Sequence, residues 1–431
     1  MQAAPDKKSA GTRVAVIGGG IIGVTSAIVL ARDGYSVTLV EPGQPGGEQA
    51  ASHGNAGWLN PNWVTPLSMP GLWKKVPGFL LDPKGPLTID PKRLLTLAPW
   101  LTRFVRSGAT EERVRRTSRT LASLLADCDR LHVDLAREAG VSHLIDDRGQ
   151  IVIYENEAEF HREAFAWSLR SENGATWTEM DHAALRDLEP SLDPRYTFGV
   201  HIEGCNCLKP GDYTHALARH AQELGVKLVS ARAEGFQFEW ERLVGVLTDQ
   251  GPLPCEKAVL SAGVRSKALA AMIGDRVLLE AERGYHVVFD GLSEVPANCA
   301  LLADGRFSCT PFSSGIRVTG QAEFTAIDAP PDWRRAEVLR EAAMRAYSGL
   351  WASSPPGNTR FWMGCRPSTS DSLPILGHAS RSQDVVYAFG HGHAGLVSAP
   401  KTAEAVAKLV AGKPLDFDIS AFGPDRFNGR I

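Results

Sequence analysis

Val14-Ala-Val-Ile-Gly-Gly-Gly-Ile-Ile-Gly23, followed by Val37-Thr-Leu-Val-Glu41, is the stretch that decides the fold. It reads as strand, glycine turn, helix, strand, and an acid at the strand end. Gly18, Gly20 and Gly23 form G-x-G-x-x-G, in which glycine allows a tight turn, a close backbone approach to a pyrophosphate and close helix–sheet packing. The helix starting near Gly20 would turn its unpaired N–H groups and the positive end of its dipole toward the phosphates. Glu41 stands where an acid can bond a ribose diol. All four elements fall in register within about thirty residues, which separates a dinucleotide site from an ordinary glycine turn in a βαβ unit.

At 431 residues the chain exceeds a single simple core, so two domains are expected. A composition 43% hydrophobic and 22% charged is that of a globular protein and excludes a disordered one. With a net charge of −3 and no long basic run, nucleic acid is not the expected partner. Met1 to Arg13 is polar and lacks the apolar core of a signal peptide, and Val14–Leu30 is too broken by glycine to span a bilayer. A cytoplasmic protein with seven reduced cysteines follows, and Cys205-Asn-Cys207 has neither redox nor zinc spacing. The arginines at 103, 106, 113, 115, 116 and 119, in a region reading as helix, form either a solvated face or a patch for the inner face of the cell membrane.

Farther along, Pro42 to Pro70 is too long for an idle connection, which marks a functional loop. Buried strands are expected at Glu256–Leu260 and Val385–Phe389, antiparallel strands at Tyr285–Phe289 and Gly315–Gly320, and a last helix at Ala399–Val410. The pattern is α/β at both ends with antiparallel material between, as when a nucleotide-binding domain is interrupted by a second domain.

Ala51-Ser-His-Gly-Asn-Ala-Gly57, Leu260-Ser-Ala-Gly263, Trp362-Met-Gly-Cys-Arg-Pro367, Asp371-Ser-Leu-Pro-Ile-Leu-Gly377 and Gly390-His-Gly-His-Ala-Gly395 are the more specific landmarks. With the fingerprint, they make the whole chain resemble the D-amino-acid-oxidase-like family of FAD amine oxidoreductases. Ser68-Met-Pro-Gly71, Leu80-Leu-Asp-Pro83, Glu282-Arg-Gly-Tyr-His286 and Phe389-Gly-His-Gly-His393 are most similar to its bacterial glyphosate-oxidoreductase and D-amino-acid-dehydrogenase branch. The resemblance implies a Rossmann-like FAD-binding domain (1–60, 205–275 and 355–431) and a discontinuous antiparallel-sheet substrate domain (61–204 and 276–354), an α/β fold of the glutathione-reductase-2/DAO type with an α+β second domain.

It also implies a site. FAD would lie on Gly18, Gly20, Ile21, Ile22, Gly23, Glu41 and Pro42, on Ser52, His53, Asn55, Ala56 and Gly57, and on Ala233. It would also meet Ser261, Ala262, Gly263, Arg366, and the loop Gly390, His391, Gly392, His393, Gly395 and Leu396. Each loop also admits the simpler reading of a surface loop or a turn. Arg366 would grip the substrate carboxylate, its alternative being a salt bridge to Asp371. Where glycine oxidase has a second arginine this chain has His393, and where it has a tyrosine this chain reads Phe307-Ser-Cys-Thr310. The clamp therefore differs, and glycine is a doubtful substrate. Tyr285 and His286 would line the pocket or serve only the sheet. His391 and His393 are candidate bases or structural groups. Cys365 sits one position off the cysteine that carries flavin in sarcosine oxidase, so non-covalent FAD is expected.

The activity implied is oxidation of an amino-acid C–N bond, on a D-amino acid or an N-substituted glycine, with dioxygen or a respiratory quinone as acceptor. An NAD(P)-dependent dehydrogenase and a catalytically silent flavoprotein subunit are the alternatives.

Overall fold

The β-branched run before Gly18 forms the strand Arg13–Ile17, parallel to Ser36–Val40 with Ile17 opposite Val40. Gly18 then turns at φ +108°, and a Cβ there would meet the Ser261 carbonyl oxygen at 2.5 Å. The helix Ile21–Arg32 follows and is buried on nearly every side. It packs on the Ala399–Val410 helix, and Thr25 Oγ1 reaches the Ala399 carbonyl at 3.3 Å. A Cβ on Gly23 would collide with the Gly18 carbonyl, so glycine is what lets this helix close on the strand.

This is a computed structural model, which describes residues 11–353, 355 and 357–428. The polar segment read at Met1–Arg13 lies mostly outside them. A sheet of six strands is ordered Lys227–Val229, Ser36–Val40, Arg13–Ile17, Lys257–Leu260, Ser382–Phe389 and Ile375–Ala379. All are parallel except the last, which runs antiparallel to Ser382–Phe389. Apolar clusters cover both faces, as a parallel sheet requires. The strand expected from Glu256 starts at Lys257 instead, because Glu256 turns outward and pairs with Arg13 at 2.9 Å.

The second large sheet runs Asn358–Thr369, Leu279–Asp290, Gly315–Phe324, Phe307–Phe312, Cys299–Leu302, Gln150–Tyr154, Phe198–Ile202, Trp177–Met180, with Leu87–Ile89 beside Gly315–Phe324. One face packs against the Arg334–Ala346 helix through Tyr285, Val287, Phe289 and Leu339. The opposite face looks toward the first sheet. The Asn358–Thr369 strand pairs along its whole length with Leu279–Asp290. The expected domain boundary at 355 therefore falls too early, since residues 358–369 join the second sheet. An isolated bridge between Ser368 and His391 ties the end of that strand to the turn after Ser382–Phe389.

The arginine-bearing helices are Leu94–Ser107 and Glu111–Leu125. Arg106, Arg113, Arg116 and Arg119 are exposed. Arg103 and Arg115 are not merely solvated: Arg103 stacks on Phe427, and Arg115 pairs with Glu111 and Glu172. Among the described residues no helix is long and apolar enough to cross a membrane.

Candidate active site

A cavity of about 1350 Å³ lies between the two sheets, larger than a typical small-molecule site. Its first end is the glycine turn. Gly18, Gly20, Ile21 and Ile22 line it, with Glu41 and Pro42 at the end of the neighbouring strand. Glu41 is buried, and its Oε2 accepts from the Gly19 N–H at 2.7 Å while Oε1 accepts from Gly43 N–H at 3.1 Å. Ser52 Oγ accepts from the Ile21 N–H at 3.2 Å, so the 42–70 loop caps the helix start from outside.

Ser52, Asn55 and Ala56 line the same cavity. Asn55 Oδ1 accepts from Gly57 N–H at 2.8 Å, and Gly57 turns at φ +89° because a Cβ there would strike the Leu208 carbonyl. Ala233, Ser261, Ala262 and Gly263 form the adjoining wall, where the Ser261 hydroxyl donates to the Ile17 carbonyl at 2.9 Å. Gly390, His391, Gly392, His393, Gly395 and Leu396 close the far side.

Three cofactor-set residues do not line the cavity. Gly23 and Gly57 act through backbone packing. His53 is turned away, its Nδ1 3.1 Å from the Gly46 carbonyl.

Past the glycine loops the lining becomes charged. Arg366 donates from Nη1 to Glu282 Oε1 at 3.0 Å and to the Gln321 carbonyl at 3.0 Å. Its guanidinium lies over Gly284, where any Cβ would collide with it. His393 Nε2 meets the same Glu282 oxygen at 2.8 Å, and the Ser368 hydroxyl donates to Oε2 at 2.7 Å. Burial would push the Glu282 carboxyl up, but His393, Arg366 and Ser368 together hold it well below the carboxylate range. Trp100 Nε1 donates to the Ser368 carbonyl at 3.0 Å and fixes the strand carrying this group.

The alternative raised for Arg366 needs correcting: its ion pair is with Glu282. Asp371 pairs with Arg426 at 3.1 Å. Two other candidates lie away from the cavity. Tyr285 points to the opposite face, where its hydroxyl donates to Glu323 at 2.6 Å, because side chains alternate along the strand and Gly284 takes the cavity side. His286 shares the cavity-side parity but is roofed by Trp362, stacked at 4.8 Å between ring centroids. Burial lowers its pKa to about 3.

His391 lines the cavity yet is buried. Its Nε2 is 3.2 Å from Thr402 Oγ1, and burial lowers its pKa to about 3, so it stays neutral and is a poor base. Glu282, Gln321 and Arg170 line the cavity and were not singled out from sequence as site residues.

The elongated cavity fits a dinucleotide. It has glycines where backbone must approach, a helix start whose first N–H groups the helix itself does not use, and a buried acid at the neighbouring strand end.

A family model described as DAO, FAD dependent oxidoreductase, matches residues 13–409. The chain is 44% identical to a D-amino-acid oxidase of Bradyrhizobium diazoefficiens, across 97% of this chain and 99% of that protein. It is 27% identical to a D-amino acid dehydrogenase of the same organism, across 97% and 100%. In fold it is similar to the crystal structure of glycine oxidase from Geobacillus kaustophilus, with a TM-score of 0.75, 20% identity and 96% and 99% of the two chains covered.

Proposed function

From the premise that this chain belongs to the DAO family of FAD-dependent oxidoreductases, we propose that it oxidises the C–N bond of an amino acid, a D-amino acid first and an N-substituted glycine second. The observation that carries this reading is one cavity joining the glycine fingerprint and Glu41 to Arg366, Glu282 and His393. When bound, FAD would supply the two-electron acceptor for the hydrogen on the carbon next to nitrogen.

In this reading Glu41 would accept from the adenosine ribose, and the start of the Ile21–Arg32 helix would hold the pyrophosphate. The Gly390–Gly395 loop would hold the ring system. Arg366 commits Nη1 to Glu282 and Gln321, and its remaining donors hold the α-carboxylate. Glu282 orients both Arg366 and His393. With His391 neutral and His393 tied to Glu282, the substrate ammonium loses its proton to water before the carbon is oxidised. The product imine is then hydrolysed to a carbonyl compound and an amine. FAD is held without a covalent bond. The sheet division supports a nucleotide domain and a substrate domain, with residues 358–369 in the latter.

Dioxygen and a respiratory quinone both fit this chemistry, and one surface favours the quinone. The helix Leu72–Leu81 lines the cavity mouth with Leu72, Trp73 and Val76 and leaves Leu81 83% exposed. Leu95 on the next helix is 90% exposed. Exposed leucines on these two helices would suit the surface of a lipid bilayer. Flotation with anionic vesicles, compared between the native chain and Leu81→Asp, tests it.

The test of the activity is an anaerobic visible titration with D-alanine, D-proline, sarcosine and glyphosate. Bleaching by one class supports the reading and chooses the substrate type. Bound flavin that none of them bleaches removes it.

A further inference from the structure

Arg170 lies on the helix Ala164–Glu172, is 5% exposed and lines the same cavity. Its guanidinium carbon is 4.2 Å from the Trp167 ring centroid and 5.1 Å from that of Trp63. Nε and Nη1 are buried without a hydrogen-bond partner among the described residues, and no ion pair engages the group there. Glu163 also lines the cavity, but its Oε2 is occupied by the Tyr154 hydroxyl at 2.9 Å. The Glu163 carboxylate and the Tyr154 hydroxyl act on this guanidinium only through space, and two buried N–H donors stay unmade, a costly and incomplete arrangement. The other arginines reaching the cavity either pair internally, as Arg366 does, or are open to solvent, as are Arg162, Arg232, Arg265 and Arg306.

The sheet sets the separation. Arg366 reaches across to Gln321 on Gly315–Phe324. Arg170 stacks on Trp167, whose Nε1 donates at 3.0 Å to Tyr154 on Gln150–Tyr154, three strands farther along. With strands about 4.8 Å apart, three strands separate the two guanidinium groups by about 15 Å across the sheet. One carboxylate cannot serve both. Between them lie Ser308 and Thr319 on the cavity wall, and Thr319 Oγ1 is also buried without a partner.

We propose that Arg170 is the anchor for a second anionic group of the substrate, a carboxylate remote from the reacting C–N bond. The substrate is then an amino acid or secondary amine whose side chain or N-substituent is as long as about three extended residues and ends in an acid. This rests on the C–N oxidation reading and narrows it. Trp63 and Trp167 flank the guanidinium, Nε and Nη1 are closed off, and Nη2 is the nitrogen left to meet the carboxylate.

The test uses the FAD-loaded full chain and a series of N-(ω-carboxyalkyl)glycines, each beside its terminal amide. In the native enzyme kcat/KM for acid over amide should rise with chain length and exceed about 10-fold at the matching length. In Arg170→Gln that ratio should fall toward one, and Arg170→Lys should recover part of it. An acid/amide ratio near one in the native enzyme, or a ratio unchanged in Arg170→Gln, overturns the proposal. Flavin content and the visible spectrum of each variant check that the fold is intact.

A second readout needs no turnover. Unreactive α,ω-dicarboxylates should alter tryptophan fluorescence in the native protein and much less in Arg170→Gln. If no amine bleached the flavin but this difference held, the oxidation reading would fall while the anion anchor stood. If the difference were absent, the anchor would fall whatever the enzyme oxidised.

Discussion

Glu282 and Arg366 face each other across adjacent strands, and the carboxylate takes Nη1 of the guanidinium at 3.0 Å. The arginine that sequence would give wholly to substrate is thus already half spent on the protein, and His393 leans on the same oxygen. What remains of Arg366 is a set of donors oriented by a fixed acid.

Arg366→Lys should therefore weaken substrate binding more than turnover. A lysine can satisfy Glu282 as a point charge but cannot hold a second carboxylate with planar geometry. We expect KM for a D-amino acid to rise about 10- to 100-fold, the worth of a charged hydrogen bond, with flavin content retained. A KM within twofold of the native value would remove Arg366 from the carboxylate role.

Glu282→Gln should destabilise the protein at neutral pH by about 2–4 kcal/mol, because it leaves a guanidinium without its counter-ion. The carboxyl is held below its ordinary value of 4.5 in the folded chain. Its stabilisation is thus complete above that value and is lost as pH falls toward the folded pKa. The gap between native and variant in urea unfolding should narrow below pH 4.5. A gap that widened in acid would contradict the pairing.

Three buried histidines set the acid tolerance. Burial lowers His132 to about 4 and His286 and His391 to about 3. The unfolded chain protonates them near 6.5 and the folded one does not, so stability must fall as pH drops from 6.5 toward 4. Together they contribute up to about 4 kcal/mol per pH unit in that window. His391→Gln, which can keep the Thr402 contact, should flatten the slope. Stability that stayed level between pH 7 and 5 would refute the neutral-histidine assignment.

Gly23→Ala should give protein with little bound flavin, since the new methyl group meets the Gly18 carbonyl and pushes the helix off the strand. Glu41→Ala should keep the fold and weaken FAD retention about 10-fold, read by flavin loss during dialysis. Full retention in Glu41→Ala would dissociate that acid from the ribose.

Acid precipitation should release the yellow colour into the supernatant. Cys365 lines the cavity, but burial raises its thiol pKa and keeps the nucleophilic thiolate scarce. Colour held in the pellet would mean a covalent link.

The nucleotide half was legible in the sequence because its signals are local. Strand, turn, helix and acid lie within one βαβ unit, and the structure keeps their register from Ile17 to Glu41. In the polar centre Arg366 and His393 were picked out through the resemblance, but Glu282, which joins them, was not, because it stands 84 residues from Arg366 and 111 from His393. Tyr285 and Gly284 show another limit. One residue of strand parity separates a cavity wall from a buried core, and nothing in Arg283-Gly-Tyr-His286 says which side faces which sheet. The strand at 358–369 was given to the wrong half because strand sequence does not name its partner.

The Ser368–His391 bridge is a narrow seam between the halves, and it passes beside the Glu282 contacts. It is joined there by the Gly392 N–H on the Pro367 carbonyl and by His393 on Glu282, so several ties meet at one corner of the cavity. The wall at Trp63 and Arg170 lies away from that corner. A lineage could retailor which molecule enters while inheriting the way it is oxidised.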